Sequence, residues 1–481
     1  MKLNKLDNLI KETISEWDIP GAAIGIIKEN ETIFAETYGK RDRENGLDVT
    51  PKTLFRTGSC TKPFTATGIS MLVENGKLKW DTPIHNYLPE FKMSSTCATK
   101  QISVRDILCH RTGLPGHDLL WFFNNFNSRK ELMTKIKHLE LNKGIRTTYQ
   151  YNNIVYAVLG YIIEYITGNS WEKYIKEEIL TPLQMNNTNC SVSEMKEVED
   201  SSEPYTKDEN DKIIQIPFYS HEIIGGPCGG INSSLEDMLQ WLEFNINKGS
   251  VGNRKLINEE TITTLFDPII KTPLTRSQYN ELFASFYGMG WGIRNYRGEK
   301  RICHYGGIDG FSAYTGLIPE ENTGIVIMTN TDDRAATYFI DIVNYRLMDY
   351  LFDLDPIDWN QRFKNEITQK NNKDISQKQN DSHSNQTNPT HPLVDFTGTY
   401  RHPGYGEFKI EKRDNKLKLT TDRENFILKH LDYNIFQFTI KKWGMNIPIK
   451  FNMDLRGRIF SFTTRLDPRV NDITFKKIND Y

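Results

Sequence analysis

The sequence predicts an α+β body followed by a small all-β domain, on three observations. Between about residues 59 and 350 helical and β-like segments are interspersed without a regular βαβ period. From about Asn365 to His391 the chain is polar and nearly free of hydrophobes. From about Leu393 to Tyr481 short alternating segments such as GEFKIEK, KLKLTT, FQFTIKK and IFSFTTRL follow one another. Length agrees, because 481 residues exceed one core at ~100 to 200 residues per domain. Hydrophobic residues at 38%, aromatics at 11% and charged residues at 25% are globular proportions. The expected domains are therefore 1–355, a polar flexible linker over 356–391, and a small antiparallel barrel or sandwich over 392–481.

The first element, MKLNKLDNLIKETISEW, reads as an amphipathic helix, with Leu3, Leu6, Leu9, Ile10 and Ile14 at helical spacing. Asp7, Lys11 and Glu12 stand where a signal peptide needs hydrophobes. The most apolar later stretch, IVYAVLGYIIEYI, is short and contains Glu164, so no membrane span is expected. A cytoplasmic protein is the expectation. AAIGIIK and TIFAETYG, separated by Glu29, Asn30 and Glu31, form a hairpin, and FSAYTGLIP with TGIVIMTN forms another through Glu320, Glu321 and Asn322.

Charge excludes one class of partner, since 60 Lys plus Arg against 62 Asp plus Glu leave a net charge of -2 and no basic surplus for nucleic acid. The six cysteines form no Cys-x-x-Cys pair and the ten histidines no His-x-His or His-Glu-x-x-His, so neither metal nor cofactor is expected. Cys60 reads as a buried packing residue.

Chemistry-bearing residue types recur in three places. In FRTGSCTKPFTATGISMLVENG, Ser59 follows Gly58 at the start of an apolar helix and Lys62 lies one turn on. An i, i+3 pair shares a helix face, the helix N-terminus offers N–H groups to an oxyanion, and an amine whose pKa is depressed by burial can take a hydroxyl proton. Ser-x-x-Lys also occurs at Ser170 and at Ser193, where an N-cap serine with a solvated lysine is the competing reading. Tyr151-Asn152-Asn153 opens an amphipathic helix; Tyr151 is a candidate proton carrier and Asn153 an orienting amide, or the pair simply starts the helix. RICHYGGIDG ends a β run in His304-Tyr305-Gly306-Gly307, glycines that would let a peptide-like substrate approach a strand edge, or that merely form a turn.

Ser-x-x-Lys, Tyr-x-Asn and His-x-Gly follow in that order, roughly 90 and 150 residues apart. Together with LCHRTGLP at Leu108 to Pro115, LKWDTPIHNYLPEF, LTPLQMNNT and GGINSSLEDMLQWL, they make most of residues 5–352 resemble the group of class C β-lactamases and D-alanyl-D-alanine carboxypeptidases. That group includes β-lactamase-related esterases, D-aminopeptidases and the mitochondrial lactamase-like protein. The resemblance implies an antiparallel sheet flanked by helices, a mainly helical lobe, and the active site between sheet and lobe. It implies acylation of Ser59, with Lys62 and Tyr151 sharing base and acid duties. Asn153, His304 and Gly306 would contact substrate, and the backbone N–H groups of Ser59 and Gly307 would form an oxyanion hole. It gives His110 a structural role.

One departure concerns substrate. Penicillin-binding relatives place Lys-Thr-Gly at the third motif, whereas His304-Tyr305-Gly306 stands here, and a histidine near pKa 6.5 is largely neutral at pH 7. That favours esters, amides or small peptides, D-amino-acid peptides among them, over a carboxylate-bearing β-lactam. The competing readings are a true β-lactamase or penicillin-binding protein, and a non-catalytic scaffold that keeps the fold. VDFTGTYRHPGYGEFKIEKRDNKLKL resembles the lipocalin-like β domain appended to many of these hydrolases. Such a domain covers the cleft, mediates homo-oligomer contacts or stabilises the body, and the sequence leaves the three open.

Overall fold

Two hairpins far apart in the chain share one sheet. Gly21–Lys28 and Glu31–Asp42 form the first, turning through Glu29 and Asn30 at φ 51° and 66°. Phe311–Ile318 and Thr323–Thr329 form the second, turning through Pro319–Glu321 and Asn322 at φ 46°. They join where Ile24 pairs with Ile327. The computed structural model describes residues 3–219, 222–274, 276–378 and 387–478.

The chain divides into two compact units, Met1–Thr82 with Ser103–His110 and Val155–Thr368, and Pro83–Ile102 with Arg111–Ile154 and Gln369–Tyr481. The first unit holds a nine-stranded antiparallel sheet in the order Ile270–Lys271, Ser285–Tyr287, Gly292–Tyr296, Glu299–Ile308, Phe311–Ile318, Thr323–Thr329, Gly21–Lys28, Glu31–Asp42, Leu47–Asp48. Strand Gly21–Lys28 is buried almost throughout because both sheet faces are covered. On one face lies helix Leu235–Ile246, so close that a Cβ on Gly25 would stand 2.7 Å from Leu235 Cδ1. On the other face, helices Leu3–Trp17 and Arg334–Leu351 bury Leu6, Ile10, Trp17, Phe339 and Val343 against Ile24 and Ile26. Alternate residues of one strand thus feed two cores.

The expected linker is not unstructured at its start. Trp359–Lys378 is a helix, and Trp359 and Phe363, one turn apart, are buried with Trp17 and Tyr338. Two aromatic anchors are enough to dock the first turns of an otherwise polar segment, a signal diluted by the composition that follows. Residues 379–386 of that expectation lie outside the described residues.

In the second unit, eight antiparallel strands from Gly398–His402 to Ile473–Ile478 run in chain order and close into a barrel, the first pairing with the last. Phe396, Tyr400, Phe408, Phe436, Phe451, Phe462 and Phe475 fill it. The unit also includes helices Thr96–Gln101, Leu119–Phe123 and Arg129–Ile136. Phe123 of this helical part packs edge-on to Phe408 at 5.1 Å and to Phe438 at 6.0 Å. By this division Pro83–Ile102 and Arg111–Ile154 belong to the unit that holds the barrel.

Candidate active site

Ser59 sits in a single 3-10 turn, Gly58–Thr61, that runs into helix Lys62–Glu74. The helix is buried nearly all round, as its apolar composition requires, and Phe64 stacks on Trp241 at 3.7 Å. Threonines fix its entry. Thr57 donates from its backbone N and its Oγ1 to Ile231 O at 3.0 and 2.9 Å, Thr61 Oγ1 accepts from Ile231 N at 3.0 Å, and Thr65 Oγ1 donates to Pro227 O at 2.7 Å. Each buried bond of this kind contributes about 1 kcal/mol net.

Within that frame Lys62 is fully buried and its Nζ donates to Ser59 Oγ at 3.1 Å and to Cys228 O at 2.9 Å. Lys62 Nζ also lies 5.2 Å from the Tyr156 ring centroid. Ser59 itself is half-buried.

The third motif meets the serine turn backbone to backbone. Gly58 has φ 51°, and a Cβ there would be 2.8 Å from Gly307 N. A Cβ on Gly306 would be 1.9 Å from Thr57 O, whereas one on exposed Gly307 would meet nothing within 4 Å. The inner glycine permits close approach and the outer one leaves room. Strand Glu299–Ile308 pairs with Gly292–Tyr296 only as far as Cys303 and with Phe311–Ile318 to its end. His304 to Ile308 therefore pair along one side only in the described sheet.

His304 is a buried, internally committed ring. Its Nδ1 is 2.7 Å from Tyr305 O, which can only accept, so Nδ1 carries the proton and Nε2 accepts from Tyr287 OH at 2.8 Å. Burial, and then the Lys62 charge, push its pKa down to about 3. Both ring nitrogens of His304 thus have partners within the protein. His110 is fully buried, its ring 4.9 Å from Tyr156 and 5.1 Å from Tyr287, and burial followed by the Lys62 charge holds its pKa well below the ordinary value. Cys60 donates Sγ–H to His304 O at 3.3 Å, and burial pushes its thiol up to about 12. It is a buried packing residue.

Tyr151 and Asn153 belong to the second unit, both half-buried. Asn153, at the first turn of helix Asn153–Thr167, donates Nδ2 to Asp118 Oδ1 at 3.4 Å, and buried Asn152 donates Nδ2 to Pro115 O at 2.5 Å. The structure thus gathers Ser59, Lys62, His304, Gly306 and Gly307 in one unit and Tyr151 with Asn153 in the other. The reading of the sequence missed the Cys228 carbonyl and the Tyr156 and Tyr287 rings. The run Gly225-Gly226-Pro227-Cys228-Gly229-Gly230 was the available signal for the first.

The profile of the family described as Beta-lactamase matches residues 6–347. The chain belongs to the beta-lactamase family. A second profile, a domain of unknown function (DUF3471), matches residues 382–477. An unguisins hydrolase of Aspergillus campestris is 27% identical over 98% of this chain and 91% of that protein. The octameric penicillin-binding protein homologue of Pyrococcus abyssi shares the fold over 99% of this chain and 100% of its own, with TM-score 0.65 at 23% identity. The D-amino acid amidase of Ochrobactrum anthropi SV3 shares it over 73% of this chain and 99% of its own, with TM-score 0.61 at 21% identity. Among the described residues no helix is long and apolar enough to cross a membrane.

Proposed function

We propose that the chain is a serine hydrolase working through an acyl-enzyme at Ser59 on esters, amides or small peptides. The observation that carries this reading is the buried Lys62 amine 3.1 Å from Ser59 Oγ, at the start of a helix. Ser59 Oγ attacks the substrate carbonyl carbon while its proton passes to the basic pair of Lys62 and Tyr151. The oxyanion is held by the N–H groups of Ser59 and Gly307. As the tetrahedral centre collapses, the leaving oxygen or nitrogen takes a proton from the same pair. Water then attacks the acyl carbon and frees Ser59 and the acid product. Asn153 holds the substrate amide, and the strand of Gly306 offers its backbone.

The substrate class rests on His304. A substrate carboxylate needs a cation, and the neutral His304 ring is engaged at both nitrogens by Tyr287 and the Tyr305 carbonyl. An amide substrate agrees with the likeness to the D-amino acid amidase, and hydrolysis with the unguisins hydrolase. Self-association is part of the proposal, in keeping with the octameric relative, and light scattering of the purified chain tests it.

The test is a fluorophosphonate probe with a screen of short-chain esters, D-amino-acid amides and nitrocefin, run on wild type beside Ser59→Ala. Labelling at Ser59 and ester or amide turnover that vanish in Ser59→Ala are expected. Activity untouched by Ser59→Ala sinks the mechanism, nitrocefin turnover at ordinary enzymatic rates sinks the substrate preference, and an unlabelled wild type favours the scaffold.

A further inference from the structure

The residues on either side of Tyr151 are tethered to a single turn of the barrel. That turn, between strands Ile459–Thr464 and Ile473–Ile478, carries Asp467 and Arg469. Asp467 is 3% exposed. It accepts Arg469 Nε at 2.8 Å on Oδ1 and Arg469 Nη2 at 2.7 Å on Oδ2, a bidentate pair that fixes the turn.

Two paths lead from the turn to the Tyr-x-Asn motif, all within the second unit. On the first, Asp467 Oδ2 accepts the His117 backbone N–H at 2.9 Å. His117 has φ 47°, a left-handed conformation that a non-glycine residue keeps only when its surroundings fix it. They do: its Nε2 donates to Glu140 O at 3.1 Å and its Nδ1 accepts from Tyr405 OH at 2.8 Å. Arg469 presses on the same loop, since a Cβ on Gly116 would be 2.7 Å from Arg469 Nη2. The loop's Pro115 carbonyl holds Asn152, the residue after Tyr151, and its Asp118 holds Asn153. On the second path, Arg469 O accepts Asn142 Nδ2 at 3.0 Å, and Asn142 Oδ1 accepts Gln150 Nε2 at 2.6 Å. Gln150 is the residue before Tyr151.

We infer that the Asp467–Arg469 turn of the C-terminal barrel positions the Tyr151 hydroxyl for catalysis, through the loop of His117 on one side and through Asn142 and Gln150 on the other. This gives the barrel a part in the proposed chemistry, and it rests on the proposed role of Tyr151. Asp467 and Asn142 are positioning residues. Each acts by limiting how far the Tyr151 backbone can move, and displacement of a catalytic group by about 1 Å costs up to a hundredfold in rate.

The test is a double-mutant cycle on the full chain, read as the rate of Ser59 acylation by a fluorophosphonate and as kcat and KM for a short-chain ester. Asp467→Asn removes the charge and one acceptor while keeping the shape. It is expected to lower acylation and kcat by about tenfold, with KM within about twofold, and to lower neither by more than about twofold once Tyr151 is already Phe. Asn142→Ala cuts the second path without touching the ion pair and carries the same comparison where Asp467→Asn does not fold. An unchanged rate in these variants, or the same loss in the Tyr151→Phe background, overturns the inference alone. A wild type unlabelled at Ser59, or a Tyr151→Phe variant as fast as wild type, overturns the catalytic reading and the inference with it.

Discussion

Ser59 and Ser170 stand in the same tetrapeptide pattern, each three residues before a lysine, and the fold uses them in opposite ways. Ser170 has φ -59° and ψ 156°, outside the helix, and its hydroxyl turns back to accept Lys173 N–H at 3.2 Å as an ordinary N-cap. Lys173 points to solvent, 3.8 Å from Glu177. Ser59 lies inside a helical turn, and its hydroxyl receives the side chain of a buried lysine. At the third match, Ser191 caps helix Val192–Lys196 and Ser193 sits within it. What separates the three is the surrounding backbone: a turn clamped by Thr57, Thr61 and Thr65 and covered by Gly306 holds the lysine where water cannot take it.

The widest separation is expected from the lysines. Lys62→Met should lower fluorophosphonate labelling of Ser59 by about 10³-fold or more, the scale of a lost acid–base group. Its thermal midpoint should change little, because Met keeps the packing of the stem and removes a buried polar head, which offsets the donor lost to the Cys228 carbonyl. Lys173→Met should change neither reading. A Lys62→Met enzyme that keeps its labelling rate would remove the distinction between the two turns.

Next come the glycines that cover the serine turn. Gly306→Ala drives a methyl to within 1.9 Å of the Thr57 carbonyl before relaxation, so a loss of about 3 kcal/mol is expected in urea unfolding, with labelling falling alongside. Gly307→Ala meets no atom and should stay within about 0.5 kcal/mol of wild type while raising KM for bulky esters. Equal destabilisation by the two substitutions contradicts the close approach assigned to Gly306.

Acid should distinguish the turns as well. The unfolded His304 imidazole binds a proton below about 6.5 and the folded one only near 3. Its contribution to stability is therefore full above about pH 6.5 and is lost as pH falls towards 3, by up to about 1.4 kcal/mol per unit. His110, also held well below its ordinary value, acts in the same direction. The expected result is a urea midpoint that drops between pH 6.5 and 5, with the drop smaller by about 2 kcal/mol in His304→Gln. An identical pH slope in that variant removes His304 as a source.

Legibility in the sequence followed the range of the interaction. Both hairpins and the alternating C-terminal strands were readable because their turn residues and period are local. Ser59, Lys62 and the Gly306-Gly307 pair were readable because each motif spans one turn or one strand end. The tie between His304 and Tyr287 was not readable, since it depends on which strand lies beside it. The helix Trp359–Lys378 was hidden by the polar composition after its two aromatic anchors. The ties around Tyr151 had no local signature at all: Asn142 and Arg469 are 327 residues apart, and His117 and Asp467 are 350.

The smallest effect is the most diagnostic of why the pattern alone is weak. Ser170→Ala removes a hydroxyl whose visible partner is the Lys173 N–H, so it should cost the protein about 1 kcal/mol, the usual loss of an N-cap. Ser170→Asp, which can still accept that N–H, should restore most of it. Both variants should label at Ser59 at the wild-type rate, because the Trp171–Ile175 turn reaches the Lys62 helix through packing and not through the proton path: Trp171 Nε1 donates to Thr65 Oγ1 at 3.0 Å, and Thr65 in turn holds Pro227. A labelling rate that falls in Ser170→Ala and returns in Ser170→Asp would place the cap upstream of the nucleophile, and the contrast between the two serines would become one of distance along a shared frame.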